Sequence, residues 1–241
     1  MLYTNIFGPI NSRRLGSSLG INLTPHKICS FDCIYCEAGA TTELTTIRKE
    51  YINTNEIIKE IENKLKTKPN IDYITFSGKG EPTLHSGIGE IINYIKTDWK
   101  SYKLCLITNS SMLYNESIYN DLSKCDLIMP SLDAATQNIF EIINKPEKTI
   151  HIDNIINSLI NFRTVFKNQL FLEIFIIENI NDTLEELALL KTICKKIKPD
   201  KICLNTLDRN PVKSWVKKAS DIKLLEIKNF FASNGCICEI V

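Results

Sequence analysis

Apolar residues along the chain follow two alternating rhythms. Runs of strand length, rich in branched and aromatic residues and flanked by turn residues, fall at 19–23, 71–77, 104–108, 127–132, 170–177 and 202–206, which predicts six strands. Between them the spacing changes to three and four. Ile57, Ile58, Ile61 and Leu65 share one helical face, as do Ile88, Ile91, Ile92 and Ile95, and again Ile152, Ile155, Ile156, Leu159 and Ile160. Leu184, Leu187, Leu190, Ile193 and Ile197 make a further stripe, a helical period in each case. Asp182 and Glu185 have the spacing of a capping pair at the start of that last stripe. A final helix is expected over 222–231, followed by a short tail at 236–241.

Strands that alternate with helices argue for βαβ units, whose crossovers make neighbouring strands parallel and put helices outside. The expected fold class is therefore α/β, a partial (β/α)6 barrel with parallel strands. No Pro/Ser-rich linker, charge block or repeat divides the sequence, so one domain over 1–241 is expected. Such folds gather ligands beyond the carboxyl ends of their strands, which directs attention to the segment after each one.

Composition narrows the function classes. Hydrophobic residues make up 44% of the 241 and charged residues 24%, the balance of an ordinary folded chain. Lys and Arg number 29 against 28 Asp and Glu, a formal charge of +1, so the basic bias of a nucleic-acid binder is absent. The longest apolar run, near 170–177, is broken by Glu173 and falls short of the ~20 residues that span a bilayer. Residues 1–14 hold no apolar segment of the kind a secretory signal carries, and a cytoplasmic location is expected. The nine cysteines are an odd number. In a reducing compartment, closely spaced cysteines suggest metal or redox chemistry.

Three of the nine stand after the first predicted strand: Cys29, Cys33 and Cys36, a Cys-x3-Cys-x2-Cys run. Three thiolates at this spacing suit three irons of a [4Fe–4S] cluster and leave the fourth iron open. The spacing leaves an alternative: His26, three positions before Cys29, completes a four-ligand zinc set, which makes the chain a binding module rather than an enzyme. Cys105, Cys125, Cys194 and Cys203 lie in or beside apolar segments and are expected to be buried packing residues. Cys236 and Cys238 form at most half of a metal site. His85 and His151 lack ligand spacing and are expected at the surface or in local hydrogen bonds.

The cysteine loop, with aromatic Tyr35 before its third cysteine, resembles that of the radical S-adenosylmethionine (SAM) superfamily. After the second predicted strand, 76–83 (FSGKGEPT) is similar to the superfamily's glycine-rich segment. The segments 7–16 (FGPINSRRLG), 130–134 (PSLDA) and 204–209 (LNTLDR) resemble the branch of small radical SAM proteins related to wyosine-type tRNA-guanine synthases. Lys79 departs from that pattern, replacing a usually small residue. The added cysteine-bearing N-terminal region of the tRNA enzymes is not found, so a second cluster is not expected.

The resemblance implies reductive cleavage of SAM to methionine and a 5′-deoxyadenosyl radical, which abstracts hydrogen from substrate. It implies a [4Fe–4S] cluster and SAM as cofactors, and an external one-electron reductant such as flavodoxin or ferredoxin. By the same resemblance Gly80 and Glu81 meet the SAM amino group, Ser131 and Asp133 the ribose, and Tyr35 and Asn205 the adenine side. Asn109 and Asn181 add polar contacts. Arg13, Arg14, Asp208 and Arg209, together with Glu37, are candidate substrate residues from their places near strand ends, since guanidinium forks and carboxylates complement a guanine-like base. For Arg and Asp the alternative is a pair closing the barrel between its first and last strands. The near-neutral charge favours a small free base, as in a queuine-lyase type of C–N cleavage releasing a 7-deazaguanine, over wyosine-type modification of tRNA.

Overall fold

The computed structural model describes residues 3–208, 213–233 and 235–241. In chain order its strands and helices are β1 (Ile6–Ser12), β2 (Gly16–Ile21), β3 (Ile28–Cys29), β4 (Glu43–Leu44), α1 (Thr54–Leu65), β5 (Tyr73–Phe76), α2 (Ile88–Asp98), β6 (Lys103–Thr108) and α3 (Ser117–Leu122). They continue as β7 (Leu127–Pro130), α4 (Gln137–Asn144), α5 (Ile152–Val165), β8 (Gln169–Phe175), α6 (Leu184–Ile197), β9 (Lys201–Asn205), α7 (Asp221–Ala232) and β10 (Cys238–Ile240).

Eight strands form one sheet in the order β1, β2, β5, β6, β7, β8, β9, β10. The six predicted strands are β2 and β5 to β9, all mutually parallel. Two strands of this sheet were not anticipated, nor was the short parallel pair β3 and β4. β1 pairs antiparallel with β2, although Gly8 and Pro9 interrupt its apolar pattern. β10, inside the expected tail, adds a parallel three-residue strand to β9.

The predicted helical stripes turn inward, except that Leu184, in the first turn of α6, is 78% exposed. Ile57, Ile61 and Leu65 of α1, Ile88, Ile91, Ile92 and Ile95 of α2, and Leu187, Leu190 and Ile197 of α6 are each at most 3% exposed, and each such burial is worth roughly 1.5–3 kcal/mol. A separate cluster of Leu15, Cys105, Leu127, Met129 and Cys203, with Tyr73, Ile107 and Phe171 against it, is formed, Leu15 apart, by strand residues that alternate with those facing the helices. The four cysteines expected to pack are all buried. His85 is fully buried, not at the surface. Its Nε2–H donates to Ile52 O at 2.7 Å and its Nδ1 accepts from Gly87 N at 3.1 Å.

The start of α6 is a correction. Thr183, not Asp182, is the cap: its hydroxyl accepts from Glu186 N, and the Glu186 carboxylate accepts from Ala135 N at 2.5 Å and from Thr136 N at 3.1 Å. The helix is thereby tied to the loop beyond β7. Among the described residues no helix is long and apolar enough to cross a membrane.

Candidate functional site

The cysteine loop lies over the carboxyl ends of the strands and is held from below by α4. Asp32 N donates to Asn144 O at 3.0 Å, Ile34 N to Ile143 O at 2.9 Å, and Glu147 N to Ser30 O at 2.8 Å, so the last turn of the helix and the chain just past it carry the loop. Phe31 sets its ring edge-on to Phe140 of the same helix, centroids 5.3 Å apart. Cys29, Cys33 and Cys36 are free and half-buried. Two side-chain amides approach their sulfurs: Asn109 Nδ2 stands 3.5 Å from Cys29 Sγ, and Asn144 Nδ2 3.5 Å from Cys33 Sγ. Burial, reinforced by the Glu81 carboxylate, pushes the Cys29 thiol up to about 12. Burial raises the Cys33 thiol as well, with Cys29 and Asp133 adding to it. These thiols are neutral until a metal displaces the proton.

The donor set fits a cluster better than one zinc ion. His26 Nε2 faces Glu43 Oε2 at 3.8 Å from a half-exposed position, and among the described residues no three His, Cys, Asp or Glu side chains converge as a mononuclear ion requires. A four-iron cube takes each cysteine on a different iron, so its ligands surround it instead of converging. Amide N–H groups beside two of the sulfurs suit thiolates that carry charge. Asn144 Oδ1, buried beside Cys33 without a hydrogen-bond partner, is an acceptor that the protein alone leaves unmet.

Glu81 is 2% exposed, and its carboxylate is held by protein donors. Oε1 accepts from Thr83 N at 3.0 Å, Thr83 Oγ1 at 2.5 Å and Thr108 Oγ1 at 2.7 Å, and Oε2 from Asn109 N at 2.7 Å. Burial raises its pKa, against the pull of these bonds. The carboxylate thus fixes Asn109, whose side chain in turn reaches Cys29 and, at 2.8 Å, Ser30 Oγ. Gly80 is a point of close approach: a Cβ there would stand 2.0 Å from Ile28 O, so only glycine lets the segment press against the cysteine loop.

Asp133 is also enclosed. Its Oδ2 accepts from Tyr35 Oη at 2.6 Å and Asn144 Nδ2 at 2.8 Å, and Oδ1 from Phe175 N at 2.9 Å. Burial raises its pKa to about 6. Tyr35 stacks on Phe175 with centroids 3.9 Å apart. Tyr35, Asn109, Ser131, Asp133 and Asn144 share one narrow cleft. Asn181 stands apart from it in role: Oδ1 accepts from Ile177 N, and Nδ2 donates to Asp133 O and Phe175 O. One N–H goes to the segment beyond β7 and the other to the end of β8, leaving none for a ligand.

A second cleft, of ≈ 520 Å³, opens beside the first and is lined by Arg13, Arg14, Glu37, Thr75, Ile107 and Asp208 among others. Four of the five candidate substrate residues therefore meet; Arg209 lies outside the described residues. Arg13 Nη1 is 3.9 Å from Asp208 Oδ1, both half-exposed, and Nη2 donates to Asn205 Oδ1 at 3.5 Å. Arg14 forms an ion pair with Glu173 inside the sheet. Burial works against the Arg14 charge, but the Glu173 carboxylate outweighs it and the pKa is raised. The reading of Arg and Asp as a pair across the gap between first and last strands thus has a counterpart in Arg13 and Asp208. Two residues of this region escaped the sequence reading. Asn144 gave no signal, whereas Glu173 gave one, as the charge that interrupts an apolar run.

The fold and the cysteine loop define a class. A model of the radical SAM superfamily matches residues 23–190, and the chain belongs to that superfamily, whose members use a [4Fe–4S] cluster and SAM. Within it the chain is 37% identical over 216 residues to a UPF0026 protein of Methanocaldococcus jannaschii, covering 89% of this chain and 67% of that one. It is 43% identical over 98% of its length to a Brachyspira hyodysenteriae protein named GTPase Obg, of which it spans only 34%. Among solved structures, a radical SAM methyltransferase from Sphaerobacter thermophilus superposes with a TM-score of 0.75 at 12% identity, over 93% of this chain and 65% of that one, a likeness of fold.

Proposed function

We propose that this chain acts as one catalytic unit that cleaves SAM reductively and directs the resulting radical at a small guanine-like molecule, in a queuine-lyase type of C–N cleavage that releases a 7-deazaguanine base. The observation that carries this reading is contiguity: Glu37 and Ala38, directly after Cys36, are themselves walls of the ≈ 520 Å³ cleft. That volume suits a small molecule. When bound to Cys29, Cys33 and Cys36, the cluster supplies one electron, received from an external reductant such as flavodoxin or ferredoxin, and thereby yields methionine and the 5′-deoxyadenosyl radical.

The protein's own groups orient the reactants. Glu81 holds Asn109 against the cysteine loop, and Asp133 fixes Tyr35, whose stacked ring walls the SAM side. Arg13 offers a planar fork to a base's carbonyl oxygen, while Asp208 and Glu37 accept from its N–H edge. Arg14 is neutralised by Glu173 and shapes the floor.

The test incubates anaerobically reduced protein with SAM and queuine, and separately with precursor tRNA, and follows products by mass spectrometry. Expected are 5′-deoxyadenosine, methionine and a free 7-deazaguanine from queuine alone. A modified base formed only in tRNA replaces the free-base reading with wyosine-type chemistry. Absence of any SAM cleavage overturns the reaction itself.

A further inference from the structure

Asn144 ends α4, is 3% exposed, and joins both halves of the site. Its Nδ2 is 3.5 Å from Cys33 Sγ and donates at 2.8 Å to Asp133 Oδ2. A carboxamide has two N–H donors and one carbonyl acceptor. Both donors here have partners, whereas Oδ1 is buried with none. An acceptor left in that state costs about 1–3 kcal/mol unless something donates to it. Asn144 lines the narrow cleft with Tyr35, Asn109, Ser131 and Asp133, so a molecule bound against that cleft meets an open acceptor.

Resting on the reading that the cysteine loop carries a cluster and SAM binds beside it, we infer that Asn144 contacts both cofactors at once. Its N–H donates to the Cys33 thiolate of the loaded cluster, and its carbonyl oxygen accepts from a donor group of SAM. A donor beside a sulfur stabilises the more negative, reduced cluster and raises its potential. SAM offers an ammonium and two ribose hydroxyls as donors. The hydroxyls are the better match, because Asn144 is bonded to Asp133, which the ribose reading already assigns to that side. Asn144 thus links the electron donor to the molecule that receives the electron through one rigid amide.

The experiment uses anaerobically reconstituted holoprotein and Asn144→Leu, which keeps the volume and removes both polar ends. Spectroelectrochemistry is expected to show a more negative cluster potential, and equilibrium binding of radiolabelled SAM a roughly two- to tenfold loss of affinity, the range for one neutral hydrogen bond. An unchanged potential overturns the sulfur contact, and unchanged affinity overturns the SAM contact. Should that variant hold no iron, wild type and Asn109→Leu answer instead. With ¹⁵N only in asparagine side chains, the reduced clusters of wild type and of Asn109→Leu, which leaves Asn144 as the amide beside a sulfur, each couple to such a nitrogen, and absence of the coupling in Asn109→Leu overturns the sulfur contact. A wild-type protein that binds no cluster at all refutes the underlying reading, a result distinct from any of these.

Discussion

Replacing Glu81 by alanine tests whether this residue acts as a SAM ligand or as a strut. Its carboxylate receives the backbone N–H groups of Thr83 and Asn109 and the hydroxyls of Thr83 and Thr108. The hydroxyls can rotate to other acceptors, but the two backbone donors are left unmet in a buried place, at about 1–3 kcal/mol each. Taking roughly 4 kcal/mol for the pair, a chain of this size loses about 8–16 °C in Tm. Glu81→Gln refines the test. Its carbonyl oxygen takes the place that faces three donors, so only Asn109 N is orphaned and the loss is about 1–3 kcal/mol. Denaturant titration of cluster-free protein therefore ranks wild type above Gln and Gln above Ala. SAM affinity of the loaded proteins follows the same order, because Asn109 is released. An alanine variant as stable as wild type, within about 0.5 kcal/mol, yet unable to bind SAM refutes the strut and makes Glu81 a direct ligand.

Three further outcomes are expected. Alanine at Cys29, Cys33 and Cys36 together removes iron and colour while near-native circular dichroism persists; retained stoichiometric iron refutes the cluster assignment. Arg14→Met strands the Glu173 carboxylate, whose side chain is 11% exposed, and costs about 3–5 kcal/mol, most of it recovered in Arg14→Met/Glu173→Leu; equal losses in single and double variants contradict a buried pair. Burial holds His85 below its usual 6.5, with Glu50 opposing and Arg48 assisting. As pH falls through 6.5 the unfolded chain takes up a proton that the folded one refuses, so this contribution to stability is lost from about pH 7 downward. In His85→Gln the drop in denaturant midpoint between pH 7.5 and 5.5 should shrink, and an identical drop in both proteins excludes His85 as its source.

What the sequence disclosed follows from how local each signal is. The inner strands are largely buried and read as mostly apolar runs, with Glu173 the charge that interrupts β8, and the three cysteines announce themselves because their spacing lies within eight residues. β1 was illegible because Gly8 and Pro9 look like a turn, and β10 because three residues become a strand only against β9. α4 shows just two turns of period, Ile139, Phe140, Ile142 and Ile143, yet it carries the cysteine loop. The contacts that complete the site span the chain: Asn144 and Cys33 are 111 residues apart, Arg14 and Glu173 are 159. Glu81 and Asn181 stood out correctly as polar residues beyond strand ends. Only their partners reveal that one is gripped by four protein donors and that the other closes a turn.

The two outer strands of the sheet, β1 and β10, are not paired with each other among the described residues, so what faces across the gap is side chain. From the hairpin between β1 and β2, Arg13 reaches Asn205 and Asp208, and Arg14 reaches Glu173. A ladder of backbone bonds opens only by tearing many at once. This seam behaves more like a zip with two teeth. The outer one, Arg13 with Asp208, is half-exposed and worth about 0–1 kcal/mol, so it parts readily in ordinary thermal motion. The inner one is sheltered and resists. Rim and depth are thereby held by different residues, and replacing Asp208 is expected to cost little stability while the sheltered Arg14–Glu173 pair keeps its place.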